Sequence, residues 1–275
     1  MKKITGLSRV IITTVIVVWT FVCLFPLYNL IATTFSSDQS DLTRTFLPND
    51  FPNGLKKLKL AFSTASIGIS TLSTLSYTFL TIVGMITICS LVSYELTFFN
   101  FPLKKLLYAL ILSSMMFPLV LYVIPLYRFV TMMGLSDTIL GISLPMMVSP
   151  LSVFILMQFL EDMPISFLEA ARIDGAGHFN IFFRVVFPLM RNGILTAAAL
   201  MFVNTWGSYL WPSLMSGAKI QPMSVTIANM LSPQFYIDPR VKIAAMVLSA
   251  IPPMVIYLSC QKYVIAGIAM SGVKG

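Results

Sequence analysis

The sequence has 275 residues, of which 57% are hydrophobic and only 10% are charged, and its formal net charge is +8. An average soluble domain is about 25% charged, so this composition argues against a water-soluble globular protein. It also excludes an intrinsically disordered chain and a nucleic-acid-binding domain, and the three cysteines are too few for a disulfide scaffold.

Charged residues are absent from six long intervals of the chain. These intervals are 10–37, 60–94, 106–127, 138–160, 192–218 and 243–261, and they are 19 to 35 residues long. An α-helix needs roughly 20 apolar residues to cross the hydrocarbon core of a membrane. The sequence therefore predicts an all-α, polytopic membrane protein with six transmembrane helices.

Two uncharged segments need separate interpretation. The first half of 60–94 is rich in serine and threonine, so we expect a span near Leu75–Ser93 that follows a surface segment. The interval 220–237 contains several polar residues together with Pro222 and Pro233, which would be costly in lipid. We therefore predict an exposed loop there.

The basic residues indicate the orientation in the membrane. Lys2, Lys3 and Arg9 precede an apolar run that is longer than a secretory signal and lacks a small-residue cleavage site, which favours an uncleaved first span. Six spans place both termini on one side, and that side carries ten of the 18 lysines and arginines. Because cytoplasmic segments are enriched in these residues, we predict a multi-pass protein with cytoplasmic N- and C-termini.

The sequence lacks the residues that several kinds of chemistry require. The single histidine, His178, lies in a polar loop, and the cysteines form no Cys-x-x-Cys pattern, so we predict no metal site, no catalytic residue and no cofactor. There is no Gly-x-x-x-x-Gly-Lys-Ser/Thr phosphate loop to bind ATP. The predicted spans contain no ionisable side chain in their interiors, which disfavours an ion-coupled carrier.

The most informative segment is 161–191, where charged residues return between the fourth and fifth predicted spans. Pro164 can open a helix, and Gly175 and Gly177 can end it. A second helix is expected to end near Pro188. Each helix carries one stripe of residues at helical spacing. In the first helix the stripe is Phe167, Ala170, Ala171 and Asp174, and its two middle side chains are only methyl groups. In the second helix the stripe is mainly aromatic, and we expect it to pack on the spans; its residues are Phe179, Phe182, Phe183 and Val186. By periodicity alone, an ordinary loop with two surface helices is the simpler interpretation.

The same segment resembles the EAA loop of bacterial ABC importer permeases. The family pattern is Glu-Ala-Ala, three residues, Gly, nine residues, Ile, one residue, Leu-Pro. Here Glu169-Ala170-Ala171, Gly175 and Pro188 stand at that spacing, while Val185 and Phe187 replace Ile and Leu. The resemblance covers most of the chain and is strongest to the maltose-type partner permease of carbohydrate importers. It includes residues 101–105, 116–118, 124–127, 134–138, 206–212, 261–263 and 273–275.

The resemblance implies a division of labour among several subunits. Such a permease pairs with a homologous second permease, two ATPase subunits on the inside and an extracytoplasmic substrate-binding protein, and it contacts membrane lipid but no nucleic acid. It implies that the loop couples to the ATPase, with Glu169 in a charged contact, Ala170 and Ala171 packed in a cleft, and Gly175 at the turn. Asp174 and Pro188 belong to the same predicted coupling set.

The resemblance also implies a sugar or oligosaccharide as cargo in a bacterial inner membrane. Trp206 and Tyr209 are candidate pathway residues, because aromatic faces stack on sugar rings, and Trp211 is a weaker candidate. Gly207 and Ser208 depart from the family, which often has an Asn followed by an acidic or amide residue at these positions. The predicted domains are 1–68, a permease core at 69–267 and a cytoplasmic tail at 268–275.

Three alternatives remain open from the sequence. A stand-alone secondary carrier or channel would conflict with the docking loop and with the absence of charge inside the spans. A purely structural membrane protein would have no reason to carry the EAA spacing. An ABC importer for a non-sugar solute would share every feature except the segments typical of the maltose type.

Overall fold

The structure, a computed structural model, describes residues 6–37 and 47–272. Every regular element in these ranges is helical, which confirms the predicted all-α fold class. The helices are α1 Gly6–Thr34, α2 Phe51–Thr64, α3 Ile67–Phe98, α4 Lys104–Ser114, α5 Val123–Met132, α6 Ile139–Met147, α7 Pro150–Glu161, α8 Ser166–Ile173, α9 His178–Ile181, α10 Phe187–Leu189, α11 Arg191–Gly207, α12 Leu210–Met215, α13 Met223–Leu231 and α14 Pro239–Gly272. A 3₁₀ turn at Leu119–Leu121 precedes α5, and a π-helical stretch at Phe182–Val186 joins α9 to α10.

Three of the described helices are long and apolar enough to cross a membrane. They are Ser8–Thr34 within α1, the whole of α3, and Pro239–Gln261 within α14. Two bent pairs reach span length only when each pair is taken together: α6 with α7, bent by 47°, and His178–Leu189 with α11, bent by 73°. By length and composition the described residues thus hold three to five crossings, and the count of six stays a prediction.

The predicted third span, at 106–127, is divided between two short helices. α4 has 11 residues and ends at Ser114, and α5 has ten and begins at Val123. Pro118 between them is extended, with φ −67° and ψ 139°. Proline also disfavours the helical conformation at the residue before it, so the chain leaves the helix here. Absence of charge therefore indicates compatibility with lipid and does not establish one continuous helix.

The start of α3 differs from the predicted span near Leu75–Ser93. α3 is continuous over 32 residues from Ile67, so the serines and threonines from Ser70 onward belong to the span, whereas Ser63 and Thr64 lie at the exposed end of α2 ahead of it. Ser70 and Thr74 are completely buried, and the Thr74 hydroxyl donates to the Ser70 carbonyl at 2.8 Å. A hydroxyl that bonds to the preceding turn is satisfied inside the helix, which explains why so many occur in an apolar environment.

The predicted exposed loop at 220–237 is wrong in part, because Met223–Leu231 form α13. Met223 at its start is buried, and its backbone N–H donates to the Thr74 hydroxyl oxygen at 2.8 Å. The first N–H groups of a helix have no partner within the helix, and Thr74 supplies one here. A side chain distant in sequence thus fixes the start of a helix that the local sequence does not predict.

The chain divides into two compact units. One contains the described residues up to Gly68 together with Thr226–Ile251, and the other contains Ile69–Val225 and the described residues from Pro252 onward. Two apolar clusters lie among the described residues of the second unit. The larger includes Met85 of α3, Leu156 of α7 and Leu168 of α8, and the smaller includes Tyr77, Ile142 and Trp211.

The domain division at 1–68, 69–267 and 268–275 stays a prediction. Lys2, Lys3 and Lys274, which contribute to the predicted orientation, lie outside the described residues.

Candidate coupling loop and translocation cavity

The first half of the loop at 161–191 forms the predicted helix, α8. The carbonyls of Pro164 and Ile165 accept the N–H groups of Phe167 and Leu168 at 3.3 and 2.9 Å, which starts the helix. Leu168 is the one buried residue of α8, and it joins the larger apolar cluster, where Leu156 also lies. Leu168 therefore anchors α8 to the spans, and most of the helix surface stays exposed.

The predicted stripe on α8 is divided between two faces. Ala171 is half-buried and packs against the larger apolar cluster, so it faces the spans. Ile173, which the stripe did not include, is 85% exposed. The residues on the side away from the cluster, which we call the exposed face of α8, are Glu169, Ala170, Ile173 and Asp174.

Gly175 ends α8 in a left-handed turn, as predicted. Its φ is +79°, its N–H donates to the Arg172 carbonyl at 3.0 Å, and the N–H of Ala176 donates to the Ala171 carbonyl at 3.0 Å. These two hydrogen bonds form a Schellman motif, which requires a residue that tolerates positive φ. Gly177 has φ −73° and ψ 164°, so its backbone is extended and does not require glycine.

The second helix of the loop runs from His178 to Leu189 and changes its hydrogen-bonding pattern at Phe182–Val186. Pro188 has no N–H, so the Arg184 carbonyl lacks its usual donor four residues later. The N–H of Phe187 donates to the Phe182 carbonyl, five residues earlier, as in a π-helix. Pro188 therefore lies within the last turn, one residue before the observed end at Leu189, which agrees with the predicted end near Pro188.

The π-helical stretch changes which aromatic residues face the spans. Ile181, Phe182 and Val186 are buried, whereas Phe179 and Phe183 are 75% and 57% exposed. The predicted stripe of four residues is therefore wrong for Phe179 and Phe183. The extra residue in the π-helical turn rotates the helix, and regular 3.6-residue periodicity cannot anticipate that rotation.

An aromatic cluster holds the loop against the end of α3. The ring of Tyr94 lies 5.3 Å from those of both Phe99 and Phe182. The ring of Phe99 also lies 5.1 Å from His178 and 5.8 Å from the guanidinium carbon of Arg172. Both helices of the loop thus contact one end of α3, so a force applied to the loop would reach that span through packed side chains.

A cavity of about 620 Å³ lies elsewhere in the same unit, beside two breaks in the helices. One break separates α6 from α7 at Val148–Ser149, and the other separates α11 from α12 at Ser208–Tyr209. Its lining is uncharged: Leu119, Tyr122, Leu126, Pro145, Met146, Val148, Ser149, Pro150, Met201, Asn204, Gly207, Ser208 and Trp211. In membrane proteins, non-helical backbone is tolerated where it borders such a cavity.

The polar groups at these two breaks are held in place by hydrogen bonds. The Ser149 hydroxyl oxygen accepts the N–H of Ser152 at 3.2 Å and so caps α7. The Ser208 carbonyl accepts the hydroxyl of Ser224 at 2.7 Å. The cavity therefore presents hydroxyl and amide groups, including Tyr122 and Asn204, on otherwise apolar walls.

The two main predicted pathway residues, Trp206 and Tyr209, do not line this cavity. Trp206 is buried and stacks on Phe202 with ring centroids 5.6 Å apart, and Tyr209 is 49% exposed. Trp211 does line the cavity, and its indole N–H donates to the Ile142 carbonyl at 3.1 Å. The roles of Trp206 and Tyr209 stay predictions. Ser149 and Asn204 were missed, although Pro145 and Pro150 on either side of Ser149 signal a break.

A second polar feature connects the α5–α6 loop to the segment that follows α12. The Asp137 carboxylate accepts the backbone N–H groups of Gly217, Lys219 and Ile220 at 2.8 to 2.9 Å. Burial on its own would raise the pKa of this carboxyl. The three N–H donors and the nearby Lys219 cation outweigh it, so the pKa of Asp137 lies below its ordinary value of 3.8.

We expect Asp137→Asn to destabilise the protein by about 2 kcal/mol, because an amide cannot accept three charge-assisted hydrogen bonds. Because the pKa of Asp137 is lower in the folded protein, its ionised carboxylate stabilises the fold at pH values above the unfolded-state pKa. This contribution is lost as the pH falls through the folded-state pKa. The stability difference between wild type and variant should therefore shrink in acid. Thermal unfolding in detergent across acidic pH measures it; a difference independent of pH would contradict the charged clamp.

Two-thirds of the chain matches a known protein family. Residues 86–270 match the family described as binding-protein-dependent transport system inner membrane component. This chain belongs to that family. The match includes α8, Gly175, Pro188 and the cavity residues from Leu119 to Trp211, so the matched region contains both candidate sites. The resemblance to ABC importer permeases is thereby confirmed, and the permease is embedded in a membrane.

Two curated relatives are about one third identical to this permease. The arabinooligosaccharides transport system permease protein AraQ of Bacillus subtilis (strain 168) is 33% identical over 187 residues, covering 68% of this chain and 66% of the relative. The sn-glycerol-3-phosphate transport system permease protein UgpE of Yersinia pestis bv. Antiqua (strain Antiqua) is 33% identical over 206 residues, covering 74% of this chain and 73% of the relative. Both relatives are named as transport permeases.

Two further matches cover nearly the whole permease. AraQ of Halalkalibacterium halodurans is 27% identical over 261 residues, which covers 93% of the permease and 92% of that relative. A chain in the crystal structure of a bacterial ABC transporter involved in the import of the acidic polysaccharide alginate matches with a TM-score of 0.82. That match covers 96% of the permease and 99% of the other chain at 21% identity, so it shows a shared fold.

Proposed function

We propose that the permease forms half of the translocation pathway of an ABC importer for a sugar or oligosaccharide and couples to an ATPase through α8. The exposed face of α8, ending in the left-handed turn at Gly175, carries this proposal. ATP is hydrolysed by two partner subunits. A homologous permease completes the pathway, a substrate-binding protein delivers the cargo from outside, and both termini of this chain lie in the cytoplasm.

The coupling mechanism follows from how the loop is attached. The exposed face of α8 enters a cleft of the ATPase, where Glu169 makes a charged contact and Ala170 allows close approach. Closure of the ATPase on nucleotide then moves α8 as a rigid element. Leu168 and Phe182 transmit that movement to the spans, because Leu168 belongs to the larger apolar cluster, which includes residues of α7, and the ring of Phe182 packs on Tyr94 of α3.

The cargo is a neutral polyhydroxylated molecule in this proposal. The hydroxyl and amide groups of Tyr122, Ser149, Asn204 and Ser208 line the cavity and suit exchange of hydrogen bonds with sugar hydroxyls. The lining includes no lysine or arginine to pair with a phosphate or a uronate. This supports an oligosaccharide, the cargo in the name of AraQ, over sn-glycerol 3-phosphate, the cargo in the name of UgpE.

The cargo class is tested by competition. Uptake of labelled arabinooligosaccharides into proteoliposomes that contain the assembled importer, its binding protein and internal ATP should be inhibited by unlabelled neutral oligosaccharides. sn-Glycerol 3-phosphate should have no effect. ATP-independent transport by this chain alone would instead support a secondary carrier, and inhibition by the phosphate ester would support a non-sugar importer.

The coupling role is tested by Ala170→Trp. Ala170 is exposed, so a large side chain should leave the fold intact but prevent close approach of the ATPase. We expect the ATPase recovered with the purified permease to fall roughly tenfold, since a loss of about 1.4 kcal/mol has that effect on an equilibrium.

The matched control for this test is Asn100→Trp, which adds the same side chain at another exposed position, outside the loop. It should retain the ATPase at the wild-type level. Equal recovery with both variants would place the contact outside the exposed face of α8.

A further inference from the structure

The helix α2 lies outside both candidate sites and has three distinct faces. Gly54, Lys57 and Ala61 form a buried face. The ring of Phe51 lies 5.4 Å from that of Phe35, just beyond α1, and the Lys57 ammonium donates to the Ser36 carbonyl at 2.6 Å. Lys57 is therefore a structural residue that holds α2 against the end of α1.

The second face of α2 is apolar and exposed. Phe51, Leu55 and Phe62 are 59%, 61% and 54% exposed, and with the half-buried Leu58 they recur at i, i+4, i+7 and i+11. This spacing places all four along one line of the helix. We call these four residues the apolar stripe of α2. Three large exposed side chains in one line are a contact surface.

The third face of α2 is basic and polar. Lys56, Lys59 and Ser63 are exposed and recur at i, i+3 and i+7, beside the apolar stripe. The helix contains no aspartate or glutamate, so its own residues leave this charge uncompensated. A short helix with an apolar face flanked by lysines has the pattern of helices that lie in a membrane interface.

The position of α2 in the chain agrees with that pattern. The Phe35 carbonyl accepts the N–H groups of Asn49 and Asp50 at 3.0 and 2.9 Å, so α2 begins at the C-terminal end of α1. α2 ends at Thr64, three residues before α3 begins at Ile67. Both neighbouring helices are long enough to cross the membrane. The 14 residues of α2 are too few to cross it themselves.

The exposed surface of α1 continues toward the apolar stripe. No residue in the most apolar window of α1 is buried within the chain, and Ile31 near its end is 48% exposed. Phe35, which follows that end, contacts Phe51 of the stripe. Along α1 and α2, an apolar surface is therefore followed by exposed lysines. A bilayer leaflet has the same order, with acyl chains inside and phosphates at its surface.

We propose that α2 lies in the interfacial region of the bilayer at the C-terminal end of α1, with its apolar stripe among acyl chains and Lys56 and Lys59 bound to anionic phospholipid headgroups. In the proposed orientation this is the outer leaflet. The ligand is the phosphate of an anionic lipid, and the interaction fixes the ends of two spans at the membrane surface.

The first arm of the test locates α2. A photoreactive benzoyl-phenylalanine replaces Phe62 in one variant and Ser63 in another, and the assembled importer is reconstituted in nanodiscs of equal parts phosphatidylcholine and phosphatidylglycerol. Mass spectrometry then identifies the adducts formed on illumination. We expect several-fold more phospholipid adduct at position 62 than at 63. Equal lipid yields, or an adduct from position 62 to the partner permease or the binding protein, would overturn the proposal.

The second arm tests the lysines. With the photoreactive group at position 62, the ratio of phosphatidylglycerol to phosphatidylcholine adducts should fall by roughly fivefold for each lysine removed in Lys56→Gln/Lys59→Gln. Lys56→Arg/Lys59→Arg keeps the charge and should preserve the ratio. An unchanged ratio in the glutamine variant would overturn the assignment of an anionic lipid, even where lipid adducts form.

Discussion

Replacement of Gly207 by tryptophan is expected to lower ATP-driven uptake by roughly tenfold or more, because it narrows the proposed pathway. Gly207 lines the cavity, and a Cβ added there would meet no atom within 4 Å, so a new side chain extends into open space. Gly207 is also outside the residues with positive φ, so a larger residue introduces no backbone strain. Uptake of labelled arabinooligosaccharide into proteoliposomes that contain the assembled importer measures the effect.

Gly207→Ala is the matched control for this variant. A methyl group at the same position fits without contact and leaves most of the cavity open, so uptake should stay near the wild-type rate. Both variants should retain the ATPase, because Gly207 lies outside the coupling loop. Full uptake by Gly207→Trp would show that cargo passes elsewhere, and Tyr209→Ala would then be the next variant to measure.

The sequence predicted the helical fold class but not where the apolar helices break. The uncharged interval 138–160 is long enough for one span, yet α6 ends at Met147 and α7 begins at Pro150. Composition reports whether a segment tolerates lipid. Whether its backbone can leave the helix depends on what satisfies the freed N–H and C=O groups, such as the cap that Ser149 provides.

The candidate coupling site was more predictable than the cavity because its signals are local. Gly175 and the Glu-Ala-Ala run lie within seven residues of one another, and the observed turn needs only this segment. The clamp at Asp137 joins residues about 80 positions apart, and no short pattern records that contact. The exposure of Phe183 was mispredicted for a different reason, because this residue lies in the π-helical stretch, where regular helical periodicity does not hold.

Gly175→Val is expected to uncouple ATP hydrolysis from transport, lowering the sugar taken up per ATP by roughly tenfold. A Cβ at Gly175 meets no atom within 4 Å, so the penalty is conformational and not steric crowding. The φ of +79° lies in the left-handed region, which costs an ordinary L-residue about 1–2 kcal/mol and a β-branched residue more. Relief of that strain breaks the Schellman hydrogen bonds and frees α8 from the second helix.

The chain supplies two controls for this variant. Gly177→Val makes the same change two residues later, where φ is −73° and the backbone is extended, so coupling should be unaffected. Gly175→Asn tests the cause, because asparagine tolerates positive φ and should retain most of the uptake. Measuring uptake and ATPase activity on one proteoliposome preparation separates uncoupling from loss of assembly. Uncoupling by both valine variants would point to added bulk at the ATPase contact, whereas normal coupling by Gly175→Val would mean that the left-handed turn does not transmit the movement.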